Sequence, residues 1–189
     1  MSVSKSTQYA VLGLVAQRPT YGYALVDRLS RWPLDDALVP AQRGVYKALR
    51  ALSDEHLIDP QASPLDREPD GPNRRRYGVT PAGAQRFEEW LEGPPATWGE
   101  LWLRLGTASR KDVPTLLRIV ETAERECLAR LEELTPPDLE ELAASGAPWE
   151  SVSTAMLATV EISEVAARSR LLRDLRRALT AASDDDGAR

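Results

Sequence analysis

The sequence predicts a mainly α-helical chain: an N-terminal winged helix-turn-helix with a small β-hairpin wing, followed by a C-terminal helical dimerisation region. Three observations carry that expectation. Residues 41–55 have helical periodicity with one apolar and one basic face, residues 57–79 read as a hairpin with an arginine run beside its tip, and Thr80-Pro81 opens a further helix. Helix, hairpin and capped helix follow one another in the order of a winged helix.

In chain order, Ser6 or Thr7 caps a first helix carrying Tyr9, Leu12, Val15 and Ala16, which ends near Arg18-Pro19. Thr20 caps a second, through Leu25 and Leu29 to about Arg31, and Trp32-Pro33 breaks it. In the third helix, at 100° per residue, Val45, Leu49 and Leu52 share a stripe with Ala41 and Ala48 beside it. Arg43 and Lys47 lie about 160–200° round from that stripe, with Arg50, Tyr46 and Gln42 on the flank. Gln, Arg and Lys are the donors suited to base edges in a major groove. A solvated surface helix has the same composition, so the sequence that follows decides between the two.

Leu57-Ile58 begins a short strand, residues 61–73 form a loop rich in Pro, Asp and Gly, and residues 74–79 return as a strand. Arg74, Arg75 and Arg76 beside the tip suit phosphates, which need charge and no particular sequence. Thr80 is then an N-cap and Pro81 the first helical residue of a helix to Leu91.

After Gly93-Pro94-Pro95, Trp98, Leu101, Trp102 and Leu105 are spaced as one helical face. Asp112 caps a long helix to Leu134, with Leu116, Val120, Ala123, Cys127 and Leu131 on its stripe. Asp138 to Ala144 make a short helix, and a last one runs from about Glu150 to Ala182. Its stripe of Leu157, Val160, Leu171, Leu175 and Leu179 is interrupted by Glu161, Glu164 and Arg168 on the same side. A helix so much longer than the winged helix needs implies a partner, and charges on a packing face are costly unless paired. The expectation is that they pair at a dimer interface and fix its register, against the alternative that this segment turns to solvent.

Residues 9–17, Tyr21-Gly22-Tyr23-Ala24-Leu25, Val45 to Leu52, Leu57-Ile58 and Arg76 to Gly83 together resemble the PadR family of transcriptional regulators. The resemblance implies a dimeric repressor with an N-terminal winged helix, a helical C-terminal dimerisation region, and release from DNA by a small, often aromatic, molecule. Trp98 and Trp102 are the candidate effector-binding pair, although tryptophans at this spacing are more often simply core. The chain departs from the family pattern in having Arg43-Gly44 ahead of Val45-Tyr46, and His56 where relatives tend to carry Gly. The second position follows a helix and often needs positive φ, so His56, the only histidine, is read as a helix terminator and not as a sensor or metal ligand.

Composition bounds the rest. With 189 residues, 42% of them apolar, the chain holds one ordinary domain or a small domain with a helical extension. The net charge of -5 is unevenly placed: residues 1–92 have 12 Lys+Arg against 12 Asp+Glu, and residues 93–189 have 12 against 17. The expected division is a winged helix over 1–92, a dimerisation and effector region over 93–182, and a disordered acidic tail over 183–189. The single Cys127 excludes an intrachain disulfide, and its apolar stripe makes it a buried thiol. No apolar run approaches membrane length and no signal peptide precedes the first helix, so a cytoplasmic protein is expected. With one His, one Cys and no glycine-rich phosphate loop, neither enzyme chemistry, nor a metal, nor a cofactor is expected. The partners expected are pseudo-palindromic double-stranded DNA and a second copy of the chain. In the competing reading, the winged helix is a protein-interaction module that does not need its basic face.

Overall fold

A computed structural model describes residues 5–32, 41–61 and 75–184, which belong to two compact units, Met1–Asp112 and Val113–Arg189. The first unit contains α1 (Lys5–Gln17), β1 (Thr20–Tyr21), α2 (Gly22–Ser30), α3 (Gln42–Asp54), β2 (Ile58–Gln61), β3 (Arg76–Val79), α4 (Pro81–Glu92) and α5 (Trp98–Thr107). The second contains α6 (Val113–Glu133), α7 (Leu139–Ala144) and α8 (Trp149–Asp184).

Helix α1 is buried on every side between Ala10 and Val15, because α3, α4, α5 and β3 all pack on it. A one-sided stripe therefore understates its role; it is the core helix of the unit. The stripe of α3 is buried as expected at Val45, Ala48, Leu49 and Leu52, whereas Ala41 is its exposed N-cap. The wing is a three-stranded antiparallel sheet in the order β1-β3-β2, with Thr20 opposite Tyr77 and Ile58 opposite Val79. This corrects the reading of Thr20 as a helix cap: it is a strand residue, and Tyr21 stands at the N-cap of α2 with no side-chain bond.

Thr80 fixes the far end of the wing. Its hydroxyl accepts from Gly83 N at 3.0 Å and donates to the His56 carbonyl at 2.9 Å, so the α4 cap also ties down the turn after α3. His56 closes α3 at φ 56°, in the left-handed region anticipated for that position. Gly83 is required by proximity, since a Cβ there would collide with the Leu57 carbonyl oxygen.

The compact unit runs past the joint expected at Glu92, because α5 packs on α1. Gln17 Nε2 donates to the carbonyls of Thr107 and Ala108 at 2.7 and 2.9 Å, tethering the end of α5 to the end of α1. The buried face of α5 is Leu101, Leu103, Arg104 and Thr107; Trp98, Trp102 and Leu105 are half-buried. Arg104 is the unexpected member. Its guanidinium donates to the carbonyls of Leu91, Gly93 and Pro94, pairs with Glu100 at 2.9 Å, and lies 4.9 Å from the centre of the Trp90 ring. That ring also stacks on Tyr9 at 5.0 Å and donates through Nε1 to Glu100 at 2.6 Å. Asp112 also differs from expectation: its carboxylate turns back to the Ser109 backbone N–H and hydroxyl, both at 2.7 Å, within the turn before α6.

In the second unit α6 and α8 form an antiparallel hairpin, as shown by pairing of Glu124 with Arg173 and Arg176 and of Arg130 with Glu161. Between them are buried Leu116, Ile119, Val120 and Cys127 from α6 and Ala155, Val165, Ser169 and Leu172 from α8. Burial pushes the Cys127 thiol up, in keeping with an inert core cysteine. Helix α8 has 36 residues and ends at Asp184, two residues past the expected end, with 185–189 outside the described residues. At about 1.5 Å per residue it is roughly 54 Å long.

Hydrogen bonds from Arg176 above all, then its charge and Arg173, hold the Glu124 carboxyl below its ordinary 4.5, with burial opposing. A depressed folded-state pKa contributes stability that is present above the unfolded value and is lost as pH falls through the folded one. The hairpin is therefore expected to loosen on acidification below about pH 4.5. Glu124→Gln should flatten that part of the pH–stability curve measured by circular dichroism; an unchanged curve would remove Glu124 as its source.

Candidate nucleic-acid interface

The exposed face of α3 gathers five side chains expected to read DNA. Gln42, Arg43, Tyr46, Lys47 and Arg50 line one broad, open concavity of about 540 Å³. Gln42, Arg43, Lys47 and Arg50 are exposed, while Tyr46 is half-buried. The tyrosine is held by the α2–α3 crossing: a Cβ on Gly22 would stand 2.8 Å from its Cε1, so only glycine lets the ring lie there. This gives the Tyr21-Gly22-Tyr23 segment its physical sense.

Among the described residues, Arg43, Lys47, Arg50 and Arg75 have no hydrogen-bond or ion-pair partner within the chain. By contrast, Arg104, Arg130, Arg173 and Arg176 are all paired with carboxylates. Unpaired cations on one surface keep their full charge available to a polyanion. No side chain of Ala41 caps α3, whose positive dipole end lies beside Gln42 and Arg43. The acidic Asp54 and Glu55 lie at the opposite end.

Of the wing arginines, Arg75 is exposed, Arg76 is half-buried with Nε 3.4 Å from the Pro19 carbonyl, and Arg74 lies outside the described residues. Arg76 stands opposite Tyr21 in the sheet, so the wing and the start of α2 share one frame. Sequence reasoning passed over Tyr23, which is 57% exposed in the first turn of α2 with its ring 5.5 Å from that of Tyr21. An aromatic in the first turn of the helix preceding the basic one was the available signal.

The candidate effector pair is adjacent, with ring centres of Trp98 and Trp102 6.0 Å apart and tilted by 33°. The two rings contact each other, so a planar ligand could stack outside the pair but would have to part it to enter between. On α8, Leu157, Val160 and Leu171 are exposed, and Leu175 is half-buried. Glu161 is bonded to Arg130 at 2.6 Å, and Glu164 to Arg168 at 3.2 Å along the helix.

Residues 11–89 match the model of the Transcriptional regulator PadR-like family. Among solved structures, Bacillus subtilis PadR in complex with operator DNA is 18% identical, over 91% of this chain and 98% of that one, with a TM-score of 0.38. A PadR-like transcriptional regulator from Bacillus cereus is 18% identical over 93% and 98%, with a TM-score of 0.37. Bacillus subtilis PadR in complex with p-coumaric acid is 19% identical over 93% and 96%, with a TM-score of 0.38. A comparison with curated protein sequences found no match. Among the described residues no helix is long and apolar enough to cross a membrane.

Proposed function

We propose that the chain, whose residues 11–89 match the PadR-like family model, is a member of that family of transcriptional regulators: a cytoplasmic, homodimeric, sequence-specific DNA-binding repressor, relieved by a small effector. The observation that carries DNA binding is the gathering of Gln42, Arg43, Tyr46, Lys47 and Arg50 on one open face, with Arg43, Lys47 and Arg50 lacking any partner among the described residues. In this reading the first residues of α3 read base edges, while Arg50 and the wing arginines Arg74, Arg75 and Arg76 lie along phosphates.

Dimerisation is supported by what the α6–α8 hairpin leaves uncovered. Two helices bury only the stripe between them, and on α8 Trp149 is 74% exposed, Leu157 71% and Val160 54%, with Met156 and Leu171 also exposed. An apolar band of this length in water favours a second copy. Glu161, Glu164, Arg168 and Leu175 flank it and would set its register. The half-buried Trp98 and Trp102 supply an aromatic surface for a planar effector. Effector and DNA would then oppose each other reciprocally.

Selecting duplexes from a random pool tests the symmetry of this reading. The expected product is a pseudo-palindrome with half-site centres about 10 bp apart, one helical turn, as two recognition helices related by a two-fold axis require. A single asymmetric site would contradict the dimer.

A further inference from the structure

A second group of arginines lies away from the α3 concavity. Between the end of α1, β1 and the outer side of α2 is a cavity of about 240 Å³, with Arg18, Arg28 and Arg31 in its lining. Its floor includes Leu14 and Leu25, each 1% exposed. One carboxylate is present, that of Asp27, and it is bound to Arg31 at 2.9 Å. Arg18 and Arg28 have no hydrogen-bond or ion-pair partner among the described residues. Three arginines against one aspartate leave the lining with a formal charge of +2.

Like charges oppose each other here. Arg28 is half-buried, and burial first, then the charge of Arg18, makes its cationic form harder to keep. The chain as a whole is acidic at -5, so this local excess is not a reflection of general basicity. Arg18, Arg28 and Thr20 share this lining with an apolar floor, and arginine forks with a hydroxyl donor are the groups suited to a tetrahedral oxyanion. The cavity is below the roughly 300–1,000 Å³ of drug-sized sites, which favours a small occupant.

The geometry points to a phosphate-binding site formed by Arg18, Arg28 and Thr20, taking either a phosphate or small phosphomonoester from solution or a backbone phosphate of bound DNA. The consequence follows from its walls. Thr20 belongs to β1, which pairs with the wing strand β3, and Arg28 belongs to α2, whose Gly22 abuts Tyr46 of α3. An anion held there braces the helix-turn-helix and the wing together.

The test compares the full chain with Arg18→Gln and Arg28→Gln, by thermal melting in inorganic phosphate against chloride at equal ionic strength, and by DNA anisotropy in phosphate-free buffer. In phosphate-free buffer both variants should melt no lower than the parent, because each relieves a repulsion. A solution ligand is indicated if phosphate raises the parent melting temperature saturably, with about tenfold or more weakening in both variants and unchanged DNA affinity. A DNA phosphate is indicated if both variants instead bind DNA more weakly and the log–log salt slope falls by about one per lost contact. The site is overturned if both variants leave phosphate stabilisation, DNA affinity and salt slope unchanged, or if they melt below the parent without phosphate, which would make the arginines structural. DNA binding that is lost in α3 variants but indifferent to phosphate and to these two substitutions sinks the site while leaving the proposed regulator intact.

Discussion

Replacing Arg43 and Lys47 together by alanine is expected to lower affinity for the selected operator by about a thousandfold without lowering thermal stability. Each residue acts twice in a two-fold complex, and roughly 1 kcal/mol for each of four contacts gives roughly 4 kcal/mol. Stability should hold because both side chains are exposed and have no partner among the described residues to lose. Arg75→Ala is the informative contrast. A phosphate contact carries no base identity, so this change should weaken operator and scrambled DNA alike and flatten the salt dependence. Anisotropy on both duplexes, beside thermal melting, checks the pair; equal loss on both duplexes for the α3 variant would move specificity away from Arg43 and Lys47.

The second large effect is on folding. Arg104→Ala should cost about 3–5 kcal/mol, the range for breaking a buried ion pair by removing one partner. The Arg104 side chain is 2% exposed and that of Glu100 12%. Its loss removes the carboxylate's cationic partner, leaves the Leu91, Gly93 and Pro94 carbonyls without this donor, and opens space beside Trp90. Urea unfolding followed by tryptophan emission reads the change. A loss below about 1 kcal/mol, the usual worth of an exposed pair, would show that α4 and α5 are held by other contacts.

The parts legible in the sequence are those whose signal is local. The basic and apolar faces of α3 follow from periodicity, and the Thr80-Pro81 start of α4 follows from cap chemistry, which the Thr80–Gly83 bond embodies. The positive φ of His56 was expected from the resemblance, since relatives tend to carry Gly at that position after the helix. What escaped depends on distant partners. Thr20 and Tyr21 are strand only because β3 arrives beside them, so a two-residue segment reads as a helix cap. Arg104 reads as a surface charge until the carbonyls around Gly93 converge on it. On α8, Ala155 and Ser169 sit with Val165 and Leu172 against α6, since close helix approach selects small residues, and the larger apolar stripe is left outward. Hydropathy alone does not separate the two faces.

The central claim is sequence-specific DNA binding through α3 and the wing. It is tested most directly by fluorescence anisotropy of the full chain on DNA from just upstream of its own coding region, against scrambled DNA, over a salt series. The expected result is a clear preference for the upstream duplex with a log–log salt slope of about -4 to -8, as several phosphate contacts per dimer require. No binding to either duplex even at low salt would contradict the claim and favour a winged helix that binds protein instead.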